Sequence, residues 1–303
     1  MTRPSFHPSP RSPRLRLPDG ACDAHCHVFG PQARYPFTPD RSYTPADAPR
    51  AALFALHELL GIDRCVIVQP GCHGFDNSVT EDAIAERPDA YRGVALLPTS
   101  VSDWELDRLD RAGFRGVRFN YMGHLGATAP IEEVIRLGER LDRIGWHLQV
   151  HCEAALIAEL APALLRSPVP VVIDHIGRID ASQGMAQAPF AALRRLLLDS
   201  RFWVKLSGLE RSSRQPAPYG DAVPFARTLM AEFPERVLWG TDWPHPNLAG
   251  EVPDDGVLVD LIEQIASTLA ERQALLIDNP LRLYRFGEAE TAPTRTAGEG
   301  RQP

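Results

Sequence analysis

Five of the ten histidines in this sequence lie at the ends of short apolar runs, where the strands of a sheet are expected to stop. They are His25, His27, His73, His151 and His175. One residue separates His25 from His27 in "DAHCH", so on a strand both side chains point to the same face. Neutral imidazoles bind Zn²⁺ and similar divalent ions, and three of them leave a position open for water. A single strand-end histidine is also compatible with a structural or substrate-contacting role, but the group indicates a shared site.

One carboxylate could complete such a site. Asp242 follows the last apolar run, in "WGTDWPHPN". A carboxylate beside a metal-activated water can take its proton and later deliver that proton to a leaving group. The alternative is that Asp242 only caps this turn, since Asp and Pro are common turn residues. Asp23 and Asp174 also adjoin histidines, and for them a structural role is as well supported as a functional one.

Eight short apolar runs alternate with helical patterns between residues 20 and 286. The runs begin near residues 21, 65, 91, 116, 147, 169, 202 and 237. Several are continuous in Val, Ile and Leu, as expected for parallel strands buried on both faces. Within 130–145, one helical stripe carries Ile131, Val134, Ile135, Leu137, Leu141 and Ile144. Eight strand–helix units predict a single (β/α)8 TIM barrel, whose strand ends meet at one rim. A doubly wound sheet is the alternative, although the first turn has no G-x-G-x-x-G.

Composition argues against several classes of function. The net charge is −7 and the body of the chain has no basic run, so no nucleic-acid partner is expected. No apolar segment approaches the ~20 residues that span a bilayer, so no membrane partner is expected either. Five cysteines without a C-x-x-C pair favour a reducing cytoplasm over a disulfide framework. Residues 1–19, rich in Pro and Arg, and residues 287–303 are expected to be disordered tails around the 20–286 barrel. A homo-oligomer is compatible with the sequence.

The motifs "DAHCHVFGP", "RGVRFN", "VVIDHIG" and "WGTDWPHPN" resemble those of the amidohydrolase superfamily. Within it, the chain is similar to the lactonase branch of 2-pyrone-4,6-dicarboxylate hydrolases and 4-sulfomuconolactone hydrolases, from about residue 20 to residue 284. This resemblance implies a barrel that hydrolyses a ring ester. It places His25, His27 and His175 around the substrate carbonyl or a metal, with Asp242 as general base.

The resemblance also implies arginines that bind the acid groups of the substrate. Arg118, Arg178 and Arg211 match them, and a planar guanidinium can hold a carboxylate through two hydrogen bonds. The alternative for Arg178 is an ion pair with Asp180 or Asp174.

Two positions depart from the metal-independent pyrone hydrolases that the chain resembles. Those enzymes have a tyrosine at the end of the fifth strand, where this sequence has His151, a third nitrogen for a metal. They have a further arginine after "RFN", where this sequence has His124. Both departures favour the sulfomuconolactone type.

The leading hypothesis is therefore a metal-assisted lactonase that acts on a small carboxylated or sulfonated lactone. In it, His25, His27 and His151 bind one divalent ion, expected to be Zn²⁺, and Asp242 activates the water. His175 ligates the ion or polarises the carbonyl. Further pocket residues are expected to be His73, Asn120 and Tyr121. Three alternatives are a metal-independent lactonase, a metal-dependent decarboxylase and a non-enzymatic metal-binding protein.

Overall fold

The computed structural model describes residues 5–125, 129–248 and 250–287. Eight parallel strands form one sheet in which each strand pairs with the next along the chain. They are β1 (Cys22–Cys26), β2 (Arg64–Val68), β3 (Tyr91–Ala95), β4 (Phe114–Tyr121), β5 (His147–Cys152), β6 (Val171–Ile173), β7 (Phe202–Lys205) and β8 (Val237–Leu238). The N–H of Ala24 donates to the carbonyl of Trp239 (2.8 Å), which joins the last strand to the first. The predicted TIM barrel is confirmed, and the doubly wound alternative is wrong.

Eleven α-helices lie within the described residues. They are α1 (Arg50–Leu60), α2 (Ser78–Ala85), α3 (Asp103–Arg111), α4 (Ile131–Asp142), α5 (Ile157–Leu164), α6 (Ala188–Leu196), α7 (Leu209–Ser212), α8 (Val223–Glu232), α9 (Asp255–Ile265), α10 (Leu269–Gln273) and α11 (Asn279–Tyr284). Helix α4 buries Val134, Leu137 and Leu141, three members of the predicted stripe. None of these helices is long and apolar enough to cross a membrane.

The apolar core has two layers, because successive residues of a strand point to opposite faces. The inner layer consists of Cys22, Ala24, Val66, Val68, Val94, Val172, Trp203, Leu238, Leu283, Tyr284 and Phe286. The outer layer is larger and packs the strands against the helices. The register between β1 and β2 shifts between Asp23 and Cys26, within the segment that carries His25. The first strand is thus irregular where it leaves the apolar interior for the polar end of the barrel.

Of the expected 1–19 tail, residues 5–19 lie against the barrel in this structure, and residues 1–4 lie outside the described part of the chain. The Phe6 ring packs on Trp243 with 5.0 Å between ring centroids, and Leu17 is buried. Asp260 of α9 accepts hydrogen bonds from Arg11 and Arg14. These apolar and charged anchors hold a stretch whose prolines suggested a free tail. Of the 287–303 tail, residues 288–303 lie outside the described part of the chain.

Candidate active site

A single carboxylate oxygen lies at the centre of the histidine cluster. Oδ1 of Asp242 is 3.3 Å from Nε2 of His27, 3.6 Å from Nε2 of His25 and 3.7 Å from Nε2 of His175. All four residues are buried. They come from β1 and from the segments after β6 and β8, so the barrel brings together positions more than 200 residues apart.

The other oxygen of Asp242 has a different partner. Oδ2 accepts a hydrogen bond from Nε of Arg211 (2.5 Å), whose second nitrogen donates to the carbonyl of Pro246 (2.9 Å). Glu210 also lies near this guanidinium, with Oε1 3.5 Å from Nε. Arg211 therefore fixes the orientation of the carboxylate, so that Oδ1 faces the histidines.

Two residues of the cluster have left-handed backbone conformations. Asp242 has φ 61°, and a left-handed run after β6 includes His175 (φ 51°), Ile176 (φ 44°) and Arg178 (φ 56°). Such conformations cost non-glycine residues roughly 1–3 kcal/mol each and concentrate at functional sites. The surrounding contacts must hold these side chains where they are.

Backbone and side-chain acceptors orient two of the imidazoles. Nδ1 of His27 donates to the carbonyl of Val68 (2.7 Å), and Nδ1 of His151 donates to Oδ1 of Asn120 (3.2 Å). A proton on Nδ1 leaves Nε2 as the nitrogen that meets the site. The ring of His151 lies 5.3 Å from that of His175 between centroids, so it adjoins the cluster.

His25 has a different environment, which the sequence did not predict. Its Nδ1 lies 3.2 Å from Nζ of Lys205 and 3.3 Å from Oδ1 of Asp174. Lys205 also donates to Oε1 of Gln149 (2.9 Å), and Arg118 donates to Oδ2 of Asp174 (2.9 Å). A buried network of charged and polar side chains thus lies directly beside His25.

The pKa values of these groups follow from burial and from the nearby cations. Burial lowers the pKa of His25, His151 and His175 well below 6.5. Burial alone would raise the pKa of Asp242, but Arg211 and the imidazoles hold it well below its usual range. Burial lowers the pKa of Lys205 to about 8. At neutral pH the site therefore holds an ionised carboxylate, the uncharged imidazoles of His25, His151 and His175, and a buried ammonium group.

A cavity of about 160 Å³ opens onto this cluster. Of the predicted site residues, it is lined by His27, Arg118, Asn120, His151, His175, Arg178, Arg211 and Asp242. His124, which stands where the resembling enzymes have an arginine, lines it too. His25 does not line the cavity but lies behind Asp242, with which it is in contact.

The three predicted arginines differ in whether they form ion pairs with carboxylates of the protein. Arg118 and Arg211 each donate to a buried aspartate. Arg178 has no carboxylate within 4.0 Å among the described residues, and Asp180, its expected partner in the structural alternative, pairs with Arg214 instead (2.8 Å). Burial and the neighbouring Arg211 lower the pKa of Arg178 to about 10, so it is still charged at neutral pH. Arg178 is thus the guanidinium most available to an anion.

Two predicted pocket residues do not line the cavity. His73 accepts a hydrogen bond from the N–H of Gly30 (3.4 Å), and its Nδ1 donates to the carbonyl of Pro36 (3.2 Å), so it ties the loop after β1 to the turn after β2. Tyr121 follows Asn120 and points the other way, where its hydroxyl donates to the carbonyl of Ala129 (3.1 Å).

Other cavity residues were missed: those after β1 because no motif marks them, and Asn247 although it is the last residue of the motif "WGTDWPHPN". The loop after β1 contributes Asp40, Arg41, Ser42 and Tyr43, and the loop after β8 contributes Asn247. Lys205 and Gln149 were missed although a signal existed. Both are polar residues within apolar strands, and Lys205 is the only lysine in the chain.

The described residues include groups that could hold a metal ion. Three groups have ligand atoms within 4.8 Å of one another: His25, His175 and Asp242; Glu210, Asp242 and His245; and Cys26, His57 and Cys65. His27 and His151, the other two histidines of the predicted set, are in none of these groups.

Comparison with known proteins identifies the family. The amidohydrolase family model matches residues 22–286. A 2-pyrone-4,6-dicarboxylate hydrolase of Comamonas testosteroni is 45% identical over 288 residues, which cover 92% of this chain and 94% of that protein. A 4-sulfomuconolactone hydrolase of Rhizobium radiobacter is 39% identical over 271 residues, 88% of this chain and 91% of the relative.

Solved structures give the same result. A protein of Agrobacterium tumefaciens, solved without ligand, superimposes on this chain with a TM-score of 0.80 at 30% sequence identity. The match covers 90% of this chain and 98% of the Agrobacterium chain. A protein of Acinetobacter baumannii, described as a probable 2-pyrone-4,6-dicarboxylic acid hydrolase with citric acid bound, has a TM-score of 0.79 at 25% identity, over 88% of this chain and 100% of that one. The chain belongs to the amidohydrolase family.

Proposed function

We propose that this protein hydrolyses a small anionic lactone, with Asp242 as the general base. The observation that carries the proposal is the carboxylate itself, which turns one oxygen to three imidazoles and the other to a guanidinium at the floor of a cavity lined by arginines. The relatives that are 45% and 39% identical are named as a pyrone dicarboxylate hydrolase and a sulfomuconolactone hydrolase, and this supports a hydrolase that acts on a cyclic ester.

Asp242 can serve first as base and then as acid. Its Oδ1 takes a proton from a water molecule as the water oxygen bonds to the lactone carbonyl carbon. The bond between that carbon and the ring oxygen then breaks, and Asp242 returns the proton to the departing ring oxygen. Water and the lactone thus give an open-chain hydroxy acid or its keto form. His175, beside Oδ1, is placed to polarise the carbonyl, where negative charge develops.

The arginines support an acidic substrate. Arg178 has no carboxylate partner among the described residues, whereas Arg118 and Arg211 each use part of the guanidinium to bind a buried aspartate, and all three line the cavity. The net charge of −7 repels anions in general, so local positive charge is needed to bind one. Citric acid bound to the Acinetobacter relative is a polycarboxylate, which fits the same preference. We propose a carboxylated or sulfonated lactone, with Asn120 and His124 as further contacts.

The zinc-dependent form of this hypothesis needs lone pairs on Nε2 of His25, His27 and His151. His27 and His151 satisfy that requirement, because their Nδ1 protons are donated elsewhere. His25 does not, since an ammonium group stands at its Nδ1. The three histidines therefore do not fit a zinc ion as a set, and we derive no step through a metal. Zinc bound at His25, His27 and His151 is the competing proposal.

Two further proposals come from the sequence. Five unpaired, buried cysteines suit a reducing compartment, and we propose the cytoplasm. A role in the breakdown of aromatic compounds follows only from the substrates named for the relatives.

The test is a spectroscopic screen of carboxylated and sulfonated unsaturated lactones, with the metal content of the protein measured in parallel. We expect ring opening of at least one anionic lactone, and ring opening by Asp242→Asn that is slower by about 10²- to 10⁴-fold. Release of CO₂ from an unsaturated acid without lactone hydrolysis would instead identify a decarboxylase.

A further inference from the structure

Lys205 is an unusual residue in this chain. The chain has 32 lysine and arginine residues in total, and all of them except Lys205 are arginines. Its side chain is fully buried at the end of β7, inside a barrel whose interior is otherwise mainly apolar. Burying a charge is costly unless it is paired and hydrogen-bonded, so this ammonium needs specific partners.

Two acceptors lie within hydrogen-bond distance of the ammonium, and a carboxylate oxygen lies at ion-pair distance. They are Oε1 of Gln149 (2.9 Å), Nδ1 of His25 (3.2 Å) and Oδ1 of Asp174 (3.7 Å). An ammonium group has three N–H donors and no acceptor. The amide of Gln149 is oriented by its own donation to Oδ2 of Asp174 (3.1 Å), so its oxygen must face Lys205.

The tautomer of His25 follows from this arrangement. A nitrogen that faces an ammonium can only accept, so the proton of the neutral imidazole is on the other nitrogen, Nε2. The opposite tautomer would have Nδ1 donate to Asp174, whose Oδ1 is 3.3 Å away. That contact lacks hydrogen-bond geometry, and Oδ1 of Asp174 has no hydrogen-bond partner among the described residues.

We propose that Lys205 is a positioning residue that holds His25 as the Nε2–H tautomer. His25 then points an Nε2–H toward Oδ1 of Asp242, which is 3.6 Å away, and it offers no lone pair to a metal ion. Histidines that bind metals usually donate their second N–H to a carboxylate or a carbonyl. Here an ammonium group lies where that acceptor would be. The catalytic use of this N–H rests on the proposed function, but the tautomer does not.

The first measurement is made on the wild-type protein. Nitrogen-15 spectra of labelled histidine side chains distinguish a protonated Nε2 from a protonated Nδ1, and the His25 signals are identified by their loss in His25→Gln. We expect protonation at Nε2. Labelling with ε-¹⁵N-lysine gives a single side-chain signal, which we expect to shift in His25→Gln. A protonated Nδ1 on His25 in the wild type would overturn the proposal, whether or not any lactone is hydrolysed.

The second measurement uses Lys205→Met, which keeps the length of the side chain and removes the charge. Asp174 is then the only polar partner of Nδ1, so we expect the tautomer to switch and kcat to fall about 100-fold with a smaller change in KM. Zinc alone, titrated by calorimetry, should bind the variant at least 10-fold more tightly than the wild type.

Gln149→Met is the matched control. It removes a different hydrogen bond of the same ammonium in the same buried layer, and it should keep the wild-type tautomer and zinc affinity. Equal losses in both variants, with no change in tautomer or zinc affinity in Lys205→Met, would reduce Lys205 to a structural role and refute the proposal. If Lys205→Met does not fold, the wild-type spectrum decides alone.

Discussion

Arg211 donates to Oδ2 of Asp242 while Oδ1 of the same carboxylate faces three imidazoles. This pairing gives the two oxygens separate tasks. Oδ2 is held by a cation that keeps the carboxylate ionised, and Oδ1 is the oxygen that takes the proton in the reaction we propose. A general base on a strand-end loop needs such an anchor, since a rotated carboxylate would lose the reacting geometry.

The pH dependence of the reaction follows from these charges. The pKa of Asp242 lies well below its usual range, so the base is ionised throughout the neutral range and is lost only as the pH falls below about 4. The pKa values of His175 and His25 are also lowered, so neither imidazole gains a proton above that range. We therefore expect kcat/KM to be flat between about pH 5 and 7. A kcat/KM that changes with pH around a midpoint near 6.5 would instead show that a histidine with an ordinary pKa controls the rate.

Arg178 should matter for binding more than for chemistry. Arg178→Gln removes a guanidinium that has no carboxylate partner among the described residues, so the fold should be little affected. A hydrogen bond to a charged group contributes ~1.5–3 kcal/mol, so we expect KM to rise about 10- to 100-fold for an acidic lactone. Steady-state kinetics check this. Arg214→Gln is the control, because that exposed arginine pairs with Asp180 and should leave KM unchanged.

His151 separates the two forms of the lactonase hypothesis. His151→Tyr removes the third nitrogen of the zinc set but keeps a polar group at the end of β5. Because the geometry at His25 disfavours zinc, we expect the variant to retain activity within about 10-fold, and to respond to chelators no more than the wild type does. Loss of nearly all activity together with loss of bound zinc would establish the zinc-dependent form.

A buried histidine behind the site should give the fold a distinct pH dependence. Nε2 of His245 is 3.1 Å from Asp255, and its Nδ1 is 3.8 Å from Glu210. Burial alone would lower the pKa of His245, but these carboxylates raise it to about 10. A group whose pKa is higher in the folded protein stabilises it fully below the unfolded value of about 6.5, and that stability is lost as the pH rises through the folded value.

We therefore expect the free energy of unfolding to fall between about pH 7 and 10, by at most ~1.4 kcal/mol per pH unit from this group. Denaturant titrations at several pH values measure it. His245→Gln should flatten this dependence, whereas His7→Gln, in the N-terminal segment, should keep it. An unchanged slope in His245→Gln would refute the role assigned to the buried ion pair.

The sequence predicted the fold and the centre of the site for one physical reason. Parallel strands in a barrel end at the same rim, so His27, His151, His175 and Asp242 could be placed together from the order of the strands alone. Two of the predicted pocket residues do not line the cavity, because their side chains turn away from it. His73 bonds to loop backbone, and Tyr121 follows the alternation of β4 to the outer face. Their residue types gave no indication of this.

Other features needed coordinates. The left-handed conformations of His175 and Asp242 come from tertiary contacts, which no local pattern encodes. The docking of residues 5–19 depends on Asp260, some 250 positions further along the chain. Lys205 and Gln149 were the missed residues with a signal, and that of Lys205 was the clearer one, a single lysine in an apolar strand. What it contacts became visible only when β1 and β7 were placed in one barrel.

Hydrolysis in ¹⁸O-labelled water tests the central role of Asp242 most directly. The wild type, treated with a chelator, and Asp242→Asn are each incubated with an anionic unsaturated lactone, and the product is analysed by mass spectrometry. We expect the wild type to place one ¹⁸O atom in the new carboxylate, and Asp242→Asn to be slower by about 10²- to 10⁴-fold, the usual contribution of a general base. An Asp242→Asn variant that hydrolyses the lactone at the wild-type rate, or a wild-type product without ¹⁸O, would contradict the mechanism.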